Sequence, residues 1–367
     1  MKLTCDKTTL INNINIVSKA VSTRTTLPIL ECILLSADSN GLKMTSNDLE
    51  MGIETGYMEA QIIEHGLIAL EAKMFFEIVR RLPDEGWVLI EAIENNIIVI
   101  KCGKTEFKIV SQNGDEFPVL PAIEKINEYK INSTLLKNMI RQTIFSVSVD
   151  ESKPVLTGEL LEIEDNFLTV VAVDGFRVSY RNEVLEGDND NISVVVPSKT
   201  LNEISKILPN DEEISMYFTD KHVLVQMPEC TVVSRLLDGE FLKYRQIFTT
   251  DYNTVVKCQR DELLRSLERA SLISKETKKN PVKLGIEGDV VKITSNTESG
   301  TSYDEIIVET EGEDISIAFN PRYLIDVLKV IDDDYIYMQF TTPLSPCIVR
   351  GEEPYNYKYL VLPLRVK

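Results

Sequence analysis

The stretch Ser198 to Pro209 (SKTLNEISKILP) has the apolar spacing of a helix, and the chain contains it three times. An earlier copy is Ala72 to Pro83 (AKMFFEIVRRLP), and a later one is Pro321 to Ile331 (PRYLIDVLKVI). The matched basic residues of the three copies are 126 and 123 residues apart. A fixed period of this length indicates a chain built from homologous domains.

Hairpin patterns recur with the same period. In each, apolar residues alternate around a short turn, which predicts a pair of antiparallel strands. The three patterns are Ile29 to Asp48 with a turn ending at Gly41, Glu159 to Asp174 with a turn at 164–166, and Val282 to Asn296 with a turn at 287–289. Two independent features therefore agree on three repeats.

Each repeat also begins with a predicted helix and ends in strand-rich sequence such as Trp87 to Cys102, which turns at Asn95 and Asn96. The first helices are predicted at Thr8 to Val21, Ser133 to Ser146 and Arg260 to Ser274. The sequence therefore predicts an α+β fold of three domains, each with two helices packed on antiparallel sheets. We place the domains at 1–124, 125–250 and 251–367, with short connectors near 124–128 and 249–253.

The net charge of -19 argues at first sight against nucleic-acid binding, which Lys and Arg drive by releasing counterions from phosphates. The second helices, however, each carry two basic residues seven positions apart, and therefore on one helix face. These pairs are Lys73 and Arg80, Lys199 and Lys206, and Arg322 and Lys329. Apolar residues occupy the opposite face of each helix, so we expect three buried faces and three exposed basic stripes.

One basic pair on one helix would be an ordinary solvated face. Its recurrence in three repeats favours a shared function. Lys137 and Arg141 are spaced four apart on the first helix of the second repeat, and the first repeat offers Lys19 and Arg24. Acidic residues collect in strands and loops instead, so positive charge is segregated onto helices.

Sequence signals for catalysis, metal binding or membrane insertion are missing. Only His65 and His222 are available as imidazole bases or ligands, and we interpret both as turn residues. Gly103-Lys104-Thr105 resembles the end of a phosphate-binding loop but lacks the leading glycine, so we expect a turn. No apolar run approaches the roughly 20 residues that span a bilayer. We predict a non-catalytic, cytoplasmic protein without cofactor or metal.

Six cysteines are scattered along the chain without metal-ligand spacing. We expect them to be reduced and mostly buried as small apolar residues. They are Cys5, Cys32, Cys102, Cys230, Cys258 and Cys347.

Three further stretches carry a resemblance to a known family. They are Arg24 to Leu30 (RTTLPIL), Val173 to Arg177 (VDGFR) and Tyr359 to Arg365 (YLVLPLR). Together with the repeats, they resemble the β subunit of bacterial DNA polymerase III, over the whole chain. The resemblance implies a head-to-tail dimer in which six clamp domains form a ring around duplex DNA, with helices lining the hole and sheets forming the outer wall.

The resemblance implies a DNA sliding clamp, or processivity factor, located at replication forks in the nucleoid. It also implies which basic residues line the hole: Arg24, Lys73, Arg80, Lys137, Arg141, Lys199 and Lys206, with Lys153 on a loop that touches DNA. Contacts to phosphate position a protein without reading base sequence, so such a surface permits sliding.

The resemblance also implies a groove between the second and third domains that binds short hydrophobic motifs of the replicative polymerase, the clamp loader and repair proteins. Its residues would be Leu156, Gly175, Arg177, Val178, Leu242, Ile247, Asn320, Tyr323, Leu360, Leu362, Pro363, Leu364 and Arg365. Four positions depart from the common family pattern: Val173, Phe176, Leu242 and Gln246 stand where Thr, His, Pro and Arg are frequent. These changes make the groove more apolar.

For the subunit contact of the homodimer, the resemblance places Met74 and Phe107 of one copy near Leu272 and Ile273 of the other. An alternative interpretation is a repeat scaffold that binds only proteins and uses its basic stripes for ion pairs within the chain. A second, weaker alternative is a nucleic-acid-processing enzyme.

Overall fold

The structure is a computed structural model that describes residues 1–84, 86–248, 251–274, 281–298 and 300–365. Backbone contacts divide the chain into two compact units. The first unit comprises residues 1–134 and 200–236, and the second comprises 135–199 and 237–367. The domain limits at 124 and 250 stay predictions. Thr249 and Thr250, in the second predicted connector, lie outside the described residues.

Six α-helices occur in the described parts of the chain, two in each repeat. They are α1 (Lys7–Val17), α2 (Ala72–Arg81), α3 (Ser133–Thr143), α4 (Ser198–Ile207), α5 (Arg260–Ser274) and α6 (Pro321–Val330). All six predicted helices are confirmed. The helices predicted to reach Val21 and Ser146 end earlier, because each passes into a single 3₁₀ turn, at Ser18–Ala20 and Ile144–Ser146.

Helix starts are fixed by side-chain caps, as expected for exposed backbone N–H groups at a helix N-terminus. The Asp6 carboxylate accepts from the Thr9 N–H before α1, and the Glu71 carboxylate accepts from Lys73 and Met74 before α2. Asn320 accepts from the Arg322 N–H before α6, which has a proline at its first position.

Fourteen strands form two antiparallel sheets in the first unit. The first eleven are β1 (Lys2–Asp6), β2 (Cys32–Asp38), β3 (Gly41–Asn47), β4 (Met51–Thr55), β5 (Ala60–Glu64), β6 (Gly66–Glu71), β7 (Trp87–Ala92), β8 (Ile97–Cys102), β9 (Thr105–Val110), β10 (Gln112–Asn113) and β11 (Tyr129–Asn132). The chain then forms β12 to β15 in the second unit. It returns to the first unit with β16 (Glu213–Phe218), β17 (His222–Gln226) and β18 (Cys230–Arg235). Their sheet orders are β5-β1-β7-β8-β9 and β10-β6-β2-β3-β4-β18-β17-β16-β11.

The second unit repeats this arrangement with thirteen strands. They are β12 (Gly158–Glu164), β13 (Phe167–Val173), β14 (Arg177–Val184), β15 (Ile192–Pro197), β19 (Thr254–Gln259), β20 (Val282–Glu287), β21 (Val290–Thr297), β22 (Gly300–Ile307), β23 (Glu309–Gly312), β24 (Ile315–Phe319), β25 (Tyr335–Phe340), β26 (Cys347–Arg350) and β27 (Tyr357–Val361). The sheet orders are β15-β12-β13-β14-β27-β26-β25-β19-β23 and β22-β21-β20-β24.

The three predicted hairpins are confirmed as β2–β3, β12–β13 and β20–β21. In the second of these, Asp165 and Asn166 both have positive φ, at 51° and 64°. Two consecutive left-handed residues make the turn that matches the twist of antiparallel strands, and Asp and Asn tolerate that conformation. The first hairpin begins later than predicted, because Pro28–Glu31 form a 3₁₀ turn before β2.

The helices bury one apolar face. Phe75 and Val79 of α2 are fully buried, and Leu82 just beyond it is 3% exposed. In the second unit, Leu324 and Val327 of α6 pack with Leu263 and Leu267 of α5 in one apolar cluster above the sheets. Burial of such side chains from water supplies the main favourable free energy of the fold.

The predictions for the cysteines and for the turn at Gly103 are confirmed as well. All six cysteines are buried, and none is in a disulfide. Gly103 and Lys104 form the turn between β8 and β9, with φ of 56° at Gly103. Among the described residues, no helix has the length and apolar character needed to cross a membrane.

A buried carboxyl group lies at the start of the second hairpin. Glu159 of β12 has no solvent exposure, and its carboxylate oxygens form no hydrogen bond of ordinary geometry within the described structure. Burial disfavours the charged form and raises the pKa of Glu159 from 4.5 to about 8. The nearby Thr143 side chain lowers the pKa of Glu159, but by less than burial raises it. The folded protein therefore keeps this proton over a pH range in which the unfolded chain has already released it.

We predict that Glu159→Gln changes how stability depends on pH. Between pH 4.5 and 8 the folded wild type binds the extra proton, so its free energy of unfolding should fall as pH rises, by up to about 1.4 kcal/mol per pH unit. Glutamine does not titrate, so the free energy of unfolding of the variant should rise relative to that of the wild type between pH 5.5 and 8.5. Urea unfolding at both pH values measures this gain, and an equal pH dependence in the two proteins would contradict it.

Candidate functional site

The basic residues of the three second helices all lie on exposed faces. Lys73 and Arg80 of α2, Lys199 and Lys206 of α4, and Arg322 and Lys329 of α6 are exposed, opposite the buried apolar residues of the same helices. The predicted basic stripes are therefore confirmed as features of each helix.

Most of these cations form ion pairs that leave them accessible. Arg80 pairs with Glu77 at 2.8 Å, Lys206 with Glu203 at 2.7 Å and Lys329 with Glu268 at 2.9 Å. The basic side chains remain 53%, 46% and 54% exposed. Arg322 lies 3.9 Å from Asp326 and is 81% exposed. Exposed pairs of this kind contribute little to stability, typically about 0–1 kcal/mol.

Arg141 is held differently from the other predicted DNA contacts. It forms an ion pair with Asp332 and donates a hydrogen bond to the Val330 carbonyl at 3.1 Å, which satisfies the C-terminal end of α6. Its side chain is 39% exposed. Lys137, one turn earlier on α3, is exposed, as are Arg24 and Lys153 in loops. Neither Lys73 nor Lys137 forms an ion pair with another described residue.

Most residues predicted for the peptide groove come together in the second unit. Strand β14 pairs with β27, so that Arg177 lies opposite Val361 and Val178 lies opposite Leu360. Beyond β27 the chain continues as an extended segment. Leu362 donates its N–H to the Phe176 carbonyl at 2.9 Å, and Leu364 donates to the Ala318 carbonyl at 2.7 Å.

The floor beside this junction is apolar. Val178 and Leu360 are buried in one cluster with Val173, Leu160 and Ile348. The predicted residues Leu156 and Ile247 pack against the same cluster and remain partly exposed. Leu242 and Leu362 are more open, at 45% and 37% exposed. A recognition cleft for apolar side chains needs such a surface.

Arg177 is a buried structural centre rather than an open recognition group. Its guanidinium donates to Asp174 at 2.9 Å, to Asp326 at 2.7 Å and to the Phe145 carbonyl at 2.6 Å. The cation also lies 4.7 Å from the ring centroid of Tyr323. Its charge is therefore compensated within the chain, and it fixes Tyr323 in place.

Tyr323 receives a second contact from Phe176, where the common family pattern has His. The two rings stack with centroids 6.0 Å apart and an interplanar angle of 21°, while Phe176 stays 54% exposed. Gly175 lies between Asp174 and Phe176 in the chain. Its φ of 88° is a backbone conformation that residues with a side chain rarely adopt. Asn320 caps α6 with its side chain and accepts the Tyr323 N–H through its backbone carbonyl, so it fixes the backbone from which Tyr323 projects.

Four residues that complete this site were missed by the sequence analysis: Phe145, Asp174, Asp326 and Phe248. Asp174 was detectable, because an Asp-Gly turn followed by Arg three positions after the Asp suggests a local ion pair. Phe145 and Asp326 lie far along the chain from Arg177, and Phe248 lies far from Tyr180, whose ring it contacts, so sequence alone gives no signal for these contacts. Pro363, Leu364 and Arg365 occupy the extended tail, with Arg365 exposed.

Apolar residues predicted for a subunit contact are open to solvent in their own units. Met74 and Phe107 of the first unit are 50% and 36% exposed. In the second unit, Leu272 is 64% exposed and Ile273 is half-buried.

No metal-binding group of His, Cys, Asp and Glu side chains occurs within the described ranges. His65 is exposed between β5 and β6, and His222 is the half-buried first residue of β17. Burial lowers the pKa of His222 from its usual value. Neither histidine lies beside the groove or on a basic helix face.

Comparison with known proteins covers nearly the whole chain. Residues 1–121 match the N-terminal domain of the DNA polymerase III beta subunit, 130–243 match its central domain, and 245–365 match its C-terminal domain. The beta sliding clamp of Bacillus subtilis (strain 168) is 36% identical over 377 residues, covering 100% of both chains.

Solved structures give the same result. The crystal structure of a DNA polymerase III beta subunit from Eubacterium rectale superposes with a TM-score of 0.96 at 42% identity, covering 100% of each chain. The sliding clamp structure from Bacillus subtilis gives a TM-score of 0.96 at 36% identity, also with 100% coverage of both. The resemblance and the fold of three clamp domains are confirmed, and the chain belongs to the DNA polymerase III beta subunit family, the beta sliding clamps.

Proposed function

We propose that two copies of this chain close head to tail into a ring around duplex DNA and hold replication proteins on it through the groove beside β27. In this proposal the chain is a non-catalytic processivity subunit of the cytoplasm and nucleoid, with repeat limits at 1–124, 125–250 and 251–367. The polymerase, clamp loader and repair proteins are its partners.

The observation that carries the ring is a joint that occurs twice within the chain. Strand β4 of the first repeat pairs with β18 of the second, and β14 of the second repeat pairs with β27 of the third. Both joints are antiparallel. In each joint, one strand comes directly after the repeated hairpin of its repeat, as β4 and β14 do. Its partner is the third strand after the second helix of the next repeat, as β18 and β27 are.

A third joint of this type is available but has no partner within the described sheets. The corresponding strands are β22 in the third repeat and β9 in the first, and each is the edge strand of its sheet. Exposed edges are templates for pairing with another chain. Pairing β22 of one copy with β9 of another would repeat the internal joint and close the ring with two such contacts.

The side chains on these two edges suit an interface. Phe107 and Val110 of β9 are 36% and 75% exposed, and Tyr303 and Ile307 of β22 are 63% and 81% exposed. Interface cores are enriched in apolar and aromatic residues, and monomeric proteins rarely leave such residues on an open strand edge. Leu272, on α5, adds apolar surface beside β22.

We predict that Phe107→Asp converts the dimer to a monomer, because the interface would bury an unpaired carboxylate. Sedimentation at micromolar concentration should show a monomer with unchanged helix content. Phe167→Asp is the matched control, since Phe167 is 44% exposed at the start of β13, away from both edges. A dimer in both variants would contradict the proposed joint.

The basic faces would line the hole. We predict that reversing Lys199 and Lys206 to Glu shortens retention on nicked circular DNA and reduces the slope of affinity against salt by about two or more, since each lysine lost removes a phosphate contact. The control is reversal of the exposed Lys221 and Lys283 to Glu. It changes the net charge by the same amount, at positions away from the helix faces.

If both double variants lost retention on DNA to the same extent, the effect would be one of overall charge. That result would refute the assignment of Lys199 and Lys206 to the DNA-binding surface. Topology separates the main alternative: a clamp is retained on closed circles and released from linear DNA, whereas a protein-only scaffold shows no such dependence. A processing enzyme would instead cut the DNA in the presence of divalent metal.

We predict that deleting residues 362–367 abolishes binding of a labelled peptide that carries the clamp-binding segment of the replicative polymerase. The deletion removes Leu362 and the Leu364 hydrogen bond to Ala318, and so one side of the groove. Val366 and Lys367 lie outside the described residues, and deleting them alone is the control, with binding retained. Fluorescence anisotropy measures both, and full affinity after the longer deletion would refute the placement.

A further inference from the structure

A lysine without a carboxylate partner lies beside the apolar groove floor. Lys358 of β27 is half-buried, and no ion pair joins it to another described residue. Its ammonium nitrogen lies 4.7 Å from the ring centroid of Tyr180 and 4.3 Å from that of Phe248. Lys358 and Tyr180 are directly opposite each other in the β14–β27 pairing. Its charge is thus held by two aromatic rings rather than by an acid.

The same strand positions connect Lys358 to the groove. Residues two apart on a strand share a face, so Lys358 and Leu360 point the same way, as do Tyr180 and Val178. Val178 and Leu360 are the buried floor of the groove. Lys358 therefore extends that floor at its end.

One of the two rings on Lys358, that of Phe248, belongs to the segment that forms one side of the proposed groove, residues 242–248, here called the groove wall. Tyr180 contacts two of its rings: Tyr244, at 5.8 Å between centroids, and Phe248, at 6.0 Å. The Tyr244 hydroxyl donates to Glu162 at 2.6 Å, which anchors the near end of the wall. Leu242 and Ile247 of the wall are the residues that would touch a peptide.

Building on the peptide groove proposed above, we propose that Lys358 is a positioning residue whose charge holds the far end of the groove wall, and that N-acylation of this lysine releases the wall and weakens peptide capture. The anchor at Tyr244 is a hydrogen bond, whereas the anchor at Phe248 is the attraction between a cation and two ring faces. Loss of the positive charge removes only the second anchor.

The amine has a suitable environment for acylation by an acyl phosphate. Burial disfavours the ammonium form and lowers the pKa of Lys358, which increases the nucleophilic neutral fraction. The nitrogen lone pair forms a bond to the acyl carbon, the bond from that carbon to the phosphate oxygen breaks, and phosphate leaves with the electron pair. The surplus proton on nitrogen passes to water, and the product is a neutral amide.

The first test compares Lys358→Met, which keeps the apolar stem, with Lys358→Arg, which keeps the charge and stacks on aromatic rings. Amide hydrogen exchange of residues 241–248, followed by mass spectrometry, reports the wall directly. The labelled polymerase peptide reports the groove. We expect faster exchange and roughly tenfold weaker peptide binding in the Met variant, and restoration of both in the Arg variant.

Lys257→Met is the matched control. Lys257 lies on β19 of the same sheet, 5.5 Å from the Tyr335 ring centroid, and is remote from the groove wall. It should change neither readout. Unchanged exchange in Lys358→Met, or equal changes in Lys358→Met and Lys358→Arg, would overturn the positioning role.

The two readouts also separate this proposal from the groove itself. If the wild type binds no peptide while Lys358→Met still loosens residues 241–248, the proposed groove fails and the positioning of the wall stands. For acylation, the wild type and Lys358→Arg are both treated with acetyl phosphate. Acetylated Lys358 with faster wall exchange in the wild type alone is expected, and absence of acetylation at Lys358 or the same change in both proteins would refute it.

Discussion

Hydrogen bonding at the edges of sheets is the constraint on which the rest of this structure depends. Each repeat leaves one strand edge after its hairpin and another after its second helix, and unpaired backbone groups are costly unless water or another strand satisfies them. Inside the chain, two edges of each kind pair with one another, β4 with β18 and β14 with β27. The repeats are thereby joined through continuous sheets.

Charge is segregated between the sheets and the helices. The sheets and loops hold most of the acids that give the net charge of -19, while the second helices bury one face and expose basic residues on the other. A helix can do this because its two faces are separated at a period of 3.6 residues, whereas a strand buried on both faces cannot. The total charge of a protein is therefore a poor guide to nucleic-acid binding when cations and anions occupy different elements.

Local patterns were sufficient to predict the helices and hairpins. Phe75, Val79 and Leu82 mark a buried helix face by their spacing alone, and Asp165-Asn166 marks a turn through residue types that accept positive φ. The ends of α1 and α3 were placed too late, because a 3₁₀ turn continues the apolar spacing after the α-helical hydrogen bonds have stopped.

Long-range partners explain what the sequence could not reveal at the groove. The resemblance implied that Arg177 belongs to the groove, but it did not show that its guanidinium is satisfied by Asp174 and Asp326, the second of which is 149 residues away. Nothing in the local sequence distinguishes an arginine with buried partners from one that waits for a ligand. The same limit applies to Arg141, whose contacts with Val330 and Asp332 depend on how the two repeats meet.

The groove and the internal joint share one strand. β27 pairs with β14 to connect two repeats, carries Leu360 of the proposed groove floor, and continues into the tail that Leu362 ties to Phe176. A peptide at this place would therefore contact a surface that exists only when both repeats are folded and paired. β9 and β22 are edge strands of two other sheets, so closing the ring would leave β27 paired with β14 and β26. The proposed subunit contact and the proposed groove can therefore be occupied together.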